Sequence, residues 1–333
     1  MYLPRSARGP LTEYLFGHLS RAPDAMSAPP DVIDDPLTGD DLHLALYCCY
    51  ELHYRGFEDV DERWEWDPAL IEFRSRLEAP FETALLAAVG YDVASSDPVP
   101  RRLVKLAEAD AGPSLSRYLE TRGTKDQFLE FMVHRSAYQL KEADPHSWVV
   151  PRLYGKPKAA LLEIQIDEYG GGDPDRIHAA LFADAMRAMG LDATYGAYLD
   201  ALPGVTLATV NLMSLFGLHR RWRGAITGHL ALFEMTSTEP NRRYANGLRR
   251  LGFGPEATFF FDEHVEADSV HEQIAANDLA GSLAKQDPTL VADIILGAQT
   301  LVFVEDAWAS HLLDRWGAGR SSLLQEVPVP SQL

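Results

Sequence analysis

His264, Asp268 and His271 follow one another at intervals of four and three in the stretch FFDEHVEADSVHEQ (260–273). An α-helix advances about 100° per residue, so these positions project from one side within about 60° of arc. Two imidazoles and a carboxylate on one side can bind a metal ion, or share a pair of ions. A solvated polar face that happens to contain histidine has the same look, and eleven histidines in 333 residues make a chance match easy. The neighbours favour the metal. Phe259, Phe260, Phe261 and Val265 precede or interleave with the polar residues, so much of this helix is expected to be buried, and buried imidazoles and carboxylates need partners.

Other donors of the same type lie upstream. Glu142 continues an amphipathic face carrying Phe128, Phe131, Arg135 and Gln139 at spacings of three or four. Glu168 ends the apolar run AALLEIQIDE, and His178 begins the next turn after Gly170-Gly171-Gly172. Singly, each has a plain reading: a solvated acid, an exposed helix end, a core histidine. Together they make three carboxylates and three imidazoles on three or four helices, the kind of inventory with which helical bundles hold two irons. The ferritin-like version needs Glu-x-x-His pairs. None occurs here: neither Glu263 nor Glu266 has His three residues on, and Glu168 reaches His178 only at ten. The only cysteines, Cys48 and Cys49, are adjacent. That excludes a disulfide scaffold and a CxxC pair, leaving a histidine and carboxylate site suited to iron or manganese.

These donors have to be positioned by helices. Residues 1–40 mix Pro, Gly, Asp and Ser and read as an irregular N-terminal extension, followed by an N-terminal helical segment over 41–123 that packs on the core. TKDQ has capping-box form, with Thr124 at N-cap and Gln127 at N3, and opens the core expected over 124–320. A helix over about 156–168 meets the three glycines, which disfavour its continuation. The apolar segment 205–236 reads as one or two buried helices and another helix follows Pro255. The last starts with Asp287 as N-cap and Pro288 at N1, leaving 321–333 as a tail. No alternating strand pattern stands out, so the fold class is all-α.

The segments LKEADPH (140–146), IDEYGGGDPDRIH (166–178) and FFDEHVEADSVH (260–271) resemble the haem-oxygenase-like di-iron oxidases and oxygenases, over about residues 125–320. The resemblance implies a haem-oxygenase-like helical bundle with two Fe ions held by Glu142, Glu168, His178, His264, Asp268 and His271. It implies a cytoplasmic, homodimeric oxidoreductase that uses O2 and an external electron donor on a small-molecule substrate. The outcomes it offers are N-oxygenation of an amino-acid amine or guanidine, desaturation or C–C cleavage of an amino acid, and oxidative decarboxylation of a fatty acid. GHLALFEMTSTEPNRR and DEYGGGDPDRIH look most similar to the N-oxygenating branch. A metal-free enzyme of the same fold and an iron-binding protein without activity are the competing classes.

Acids beside the six donors are candidates for a supporting role. Glu305 falls on the apolar face of the last helix, where it either clamps a substrate amine or pairs with an arginine. Glu234 sits in the apolar stretch GHLALFE. Arg220, Arg221 and Arg223, then Arg242 and Arg243, suit capture of a substrate carboxylate or ordinary salt bridges. The net charge of −19 argues against a nucleic-acid or anionic-membrane surface. The N-terminus MYLPRSARGPLTEYLF has no apolar signal core, and LVADIILGAQTLVFV (290–304) is interrupted by Asp293 and Gln299, as in a buried helix rather than a membrane span.

Overall fold

Helices account for every regular element in the computed structural model, which describes residues 1–91, 95–109, 112 and 114–327, with backbone alone for 266–270. Among the described residues there is no strand, in keeping with the all-α expectation. Helix α1 (Pro10–Leu19) lies within the stretch read as irregular. Pro10 opens it, and its exposed N–H groups on Leu11 and Thr12 donate to the Asp41 carboxylate at 2.8 and 2.9 Å. The cap is supplied from the head of the next helix, α2 (Asp40–Glu51), so no local pattern announces it. Helices α3 (Pro68–Val89), α4 (Val99–Ala109) and α5 (Leu115–Thr121) complete the N-terminal part.

Helix α6 (Lys125–Gln139) starts where the capping box puts it: Gln127 N–H donates to Thr124 Oγ1 and Thr124 N–H to Gln127 Oε1, at 3.3 and 3.0 Å. After α6 the chain turns sharply through Ala143, at φ +73°, into the single-turn α7 (Asp144–Ser147). A non-glycine residue in that region costs about 1–3 kcal/mol and persists only where its surroundings impose it. They do so here through α2. Lys141 Nζ, buried between the rings of Tyr47 and Tyr54, donates to Glu51 at 2.9 Å, and Tyr195 donates to the same carboxylate at 2.7 Å. Arg55 donates to the Leu140 carbonyl at 3.0 Å, and Tyr169 to Asp144 at 2.8 Å.

Helix α8 (Gly155–Glu168) ends at the three glycines, all with positive φ. A Cβ on Gly170 would collide with the backbone of Arg176 and Ile177. Glycine therefore lets two short 3₁₀ turns fold the chain back, so that α9 (His178–Ala188) begins beside the end of α8. Helix α10 (Gly204–Leu218), buried throughout except at Leu218, leads into the long α11 (Arg223–Arg250) and then α12 (Pro255–Gln273). Immediately after α12 the helix widens into a π turn over Ile274–Ala280, a distortion frequent at functional sites. Helix α13 (Gly281–Gln286) follows, and Asp287 accepts from Thr289 N–H ahead of α14 (Val291–Gly317).

Two features of α11 shape the interior. It crosses α14 backbone against backbone: a Cβ on Gly228 would fall on the Ile294 carbonyl, and one on Gly297 on the Ala225 carbonyl. Farther along, Pro240 lies inside the helix and has no N–H to return to the Thr236 carbonyl. Among the described residues, no helix is long and apolar enough to cross a membrane.

Candidate metal centre

Burial sorts the donors first. Glu142, Glu168, His178, His264 and His271 are each no more than 6% exposed, which for carboxylates demands strong compensation. Glu142 stands on the turn that α2 clamps. Glu168 and His178 flank the glycine reversal, and His264 and His271 share one side of α12. One donor atom from each of Glu142, Glu168, His178 and His264 lies within 4.8 Å of the other three. A second group, Glu168, Glu234 and His271, is equally close, and Glu168 belongs to both. The side chain of Asp268 lies outside the described residues. Glu234, expected to play a supporting part, instead stands among the donors. Its signal in the sequence was an acid inside an apolar helix, which α11 buries to 5% exposure.

Neighbouring groups fix which ring nitrogens face inward. His264 Nδ1–H donates to the Phe260 carbonyl at 2.8 Å, leaving Nε2 directed at Glu142 Oε1, 3.5 Å away. His271 Nε2–H donates to Asp167 at 2.9 Å, leaving Nδ1 facing Glu234 at 3.4 Å. Holding an imidazole by its far nitrogen is how proteins orient metal-ligating histidines. Asp167 is a contributor that the sequence reading missed.

The electrostatics fit a cation. Burial alone would raise the Glu168 pKa, but His178, His264 and His271 together hold it below its ordinary value. Burial would likewise lower the two histidines, yet Glu168 raises His178, and Glu234 with Asp167 and Glu168 lifts His271 to about 9. In this carboxylate-rich pocket, protons on the rings supply positive charge that metal ions would supply instead. The donor atoms also crowd together, imidazole against carboxylate, at 2.8–3.5 Å. Glu142 Oε2 is shielded and has no hydrogen-bond partner, and Glu168 Oε2 meets His178 Nδ1 at 2.8 Å without hydrogen-bond alignment. Two carboxylate and imidazole donor sets that share Glu168 could hold metal ions.

A cavity of about 320 Å³ adjoins Glu142 and His264. Phe131, Phe182, Phe260 and Phe261 make its wall apolar near the donors, while Arg135, Gln139, Arg243 and Glu305 add polar groups. Glu305 is the arginine-paired acid: Arg135 binds it through two hydrogen bonds of 3.0 and 2.7 Å, with the guanidinium 4.0 Å above the Trp308 ring. Arg243 pairs with Glu239 at 3.1 Å and reaches Ser114 and Ser116. Of the other arginines singled out, Arg221, Arg223 and Arg242 form salt bridges with Glu82, Asp287 and Glu239.

Comparison with known proteins gives the family and the fold. The sequence profile of a family described as iron-containing redox enzyme matches residues 129–306, more than half the chain. A nitrosourea synthase from Streptomyces achromogenes subsp. streptozoticus is 25% identical over 161 residues, which cover 48% of this chain and 34% of that relative. The chain thus matches only about a third of that protein's length. A solved structure of a CADD-like protein of unknown function from Nostoc punctiforme shares the fold, with a TM-score of 0.50 at 14% identity. The match covers 69% of this chain and 99% of that one.

Proposed function

This chain belongs to the iron-containing redox enzyme family, and from that premise we propose a di-iron oxygenase that N-oxygenates an amine or guanidine of an amino-acid-type substrate. Glu142, His178 and His264 would hold one iron and Glu234 and His271 the other, with Glu168 shared; Asp268 is the further donor that the family resemblance implies. The irons supply dioxygen activation when bound. One oxygen atom enters a substrate N–H bond and the other leaves as water, with two electrons from an external donor and two protons. The chain's residues do the rest. The phenylalanines around His264 exclude water from the reacting end, the Phe260 carbonyl and Asp167 orient the imidazoles, and Arg243 is available to a substrate carboxylate.

The observation that carries this reading is the cavity that adjoins Glu142 and His264. At about 320 Å³ it lies at the small end of ligand-binding cavities, which suits a small molecule such as an amino acid, and polar side chains occur along it. A long alkyl chain would leave the buried Gln139 amide oxygen, which has no partner among the described residues, unsatisfied, which disfavours fatty-acid decarboxylation. The unpartnered Glu142 oxygen disfavours a metal-free enzyme. N-oxygenation is preferred to desaturation or C–C cleavage because the relative named above is a nitrosourea synthase, whose product contains an oxidised nitrogen. The test is anaerobic Fe(II) titration, followed by O2, a reductant and a panel of amino acids and fatty acids, with products read by mass spectrometry. Two irons per chain and gain of one oxygen on an amino-acid nitrogen are expected. Turnover of a fatty acid alone, or no iron uptake, would overturn the reading.

A further inference from the structure

Gln139 is the last residue of α6, one turn before Glu142 and one turn after Arg135, and its side chain lines the cavity together with both of theirs. Arg135 is fully engaged with Glu305 and Trp308, and Glu142 belongs to the metal donors. Gln139 alone of the three is unengaged: its amide oxygen is shielded from solvent and has no hydrogen-bond partner among the described residues. A buried amide oxygen without a donor is unfavourable and marks a place where a partner is missing. No hydrogen bond from the described residues fixes the amide, so it is free to present its oxygen to the cavity it lines.

We propose that Gln139 is a specificity-determining residue whose amide oxygen accepts an N–H from the substrate beside the metal donors. This rests on the function proposed above and narrows it: the substrate's reacting end carries nitrogen-bound hydrogen, as an amine or a guanidine does. Position supports the assignment. A group that contacts Gln139 lies one helical turn from Glu142, so an N–H held there brings the same head group up to the reacting end of the cavity. The Arg135–Glu305 pair makes the next stretch of wall polar but internally neutral, so that a head group is not drawn away from Gln139 by an isolated charge.

The test uses the full-length, Fe(II)-loaded protein without oxygen, titrated calorimetrically with L-arginine, L-lysine and L-norleucine. The three share an α-amino-acid frame and differ in whether the far end carries an N–H donor and of which kind. One hydrogen bond is worth about fivefold to tenfold in affinity, so arginine or lysine is expected to bind at least that much more tightly than norleucine. Gln139→Met should bring the donor-bearing ligand down to norleucine's affinity, while norleucine binding and iron content stay unchanged. Gln139→Glu keeps an acceptor oxygen and should retain the preference. Undiminished preference in Gln139→Met would overturn the role of Gln139 and leave the proposed function standing. If Gln139→Met proves unstable, loss of the preference in a folded Gln139→Glu overturns it equally. Binding of decanoate with no binding of any amino acid would instead overturn the function on which the inference rests.

Discussion

Glu168 faces both donor groups, so its removal should act on both irons. Glu168→Ala is expected to bind almost no iron, whereas Glu234→Ala should keep one equivalent, both measured by anaerobic Fe(II) titration. Equal losses in the two variants would contradict a shared carboxylate. Asp167 touches His271 from outside, through the ring nitrogen that faces away from the donors. Loss of such a partner typically weakens metal binding about 10- to 100-fold, so Asp167→Ala should loosen only the second iron. Spacing made His264 and His271 visible in the sequence, and the glycine break drew attention to Glu168 and His178. Glu234 stands out in the sequence only as a supporting acid, since an isolated acid in an apolar helix does not say which group it meets. Asp167 was invisible because its side chain is more than half exposed and nothing in the sequence separates it from an ordinary surface acid.

The helices that carry the site were legible where their signals are local. Thr124 and Gln127, the Gly170–Gly172 run, and Asp287-Pro288 each set a boundary through chemistry contained within a few residues. The signals that failed to show were those supplied across the fold, such as the Asp41 cap of α1 and the clamp on the Ala143 turn. That clamp ties α2 to the segment bearing Glu142. Lys141 and Glu51 are both fully enclosed, and removing one partner of a buried ion pair costs about 3–5 kcal/mol. Glu51→Ala should therefore lower unfolding free energy by about that amount in urea. The variant should also bind the first iron less tightly at temperatures where it is still folded, because the turn holding Glu142 is then released.

For the whole molecule, acid stability follows from histidines that the fold keeps neutral. His43, on α2, is enclosed by Pro36, Phe81 and Asn211, and burial pushes its pKa from 6.5 down to about 4. Below about pH 6.5 the unfolded chain takes up a proton that the folded chain refuses until about pH 4. Stability present above that window is therefore lost as the pH falls through it. His43 alone should contribute a loss of about 2 kcal/mol between pH 7 and pH 5, checked by urea unfolding at both pH values with His43→Gln as the less pH-sensitive comparison. At the same scale, the crossing of α11 and α14 at Gly228 and Gly297 bears on the cavity itself. One turn beyond the crossing, Leu232 of α11 and Leu301 of α14 both line the cavity. The spacing of the two helices at the crossing therefore helps to set its bore. Trimming a wall side chain adds room at one point, whereas a single methyl at Gly297 would lever both walls apart along their length. Substrate size in this scaffold has a fine adjustment in the side chains and a coarse one in two glycines that never meet the substrate.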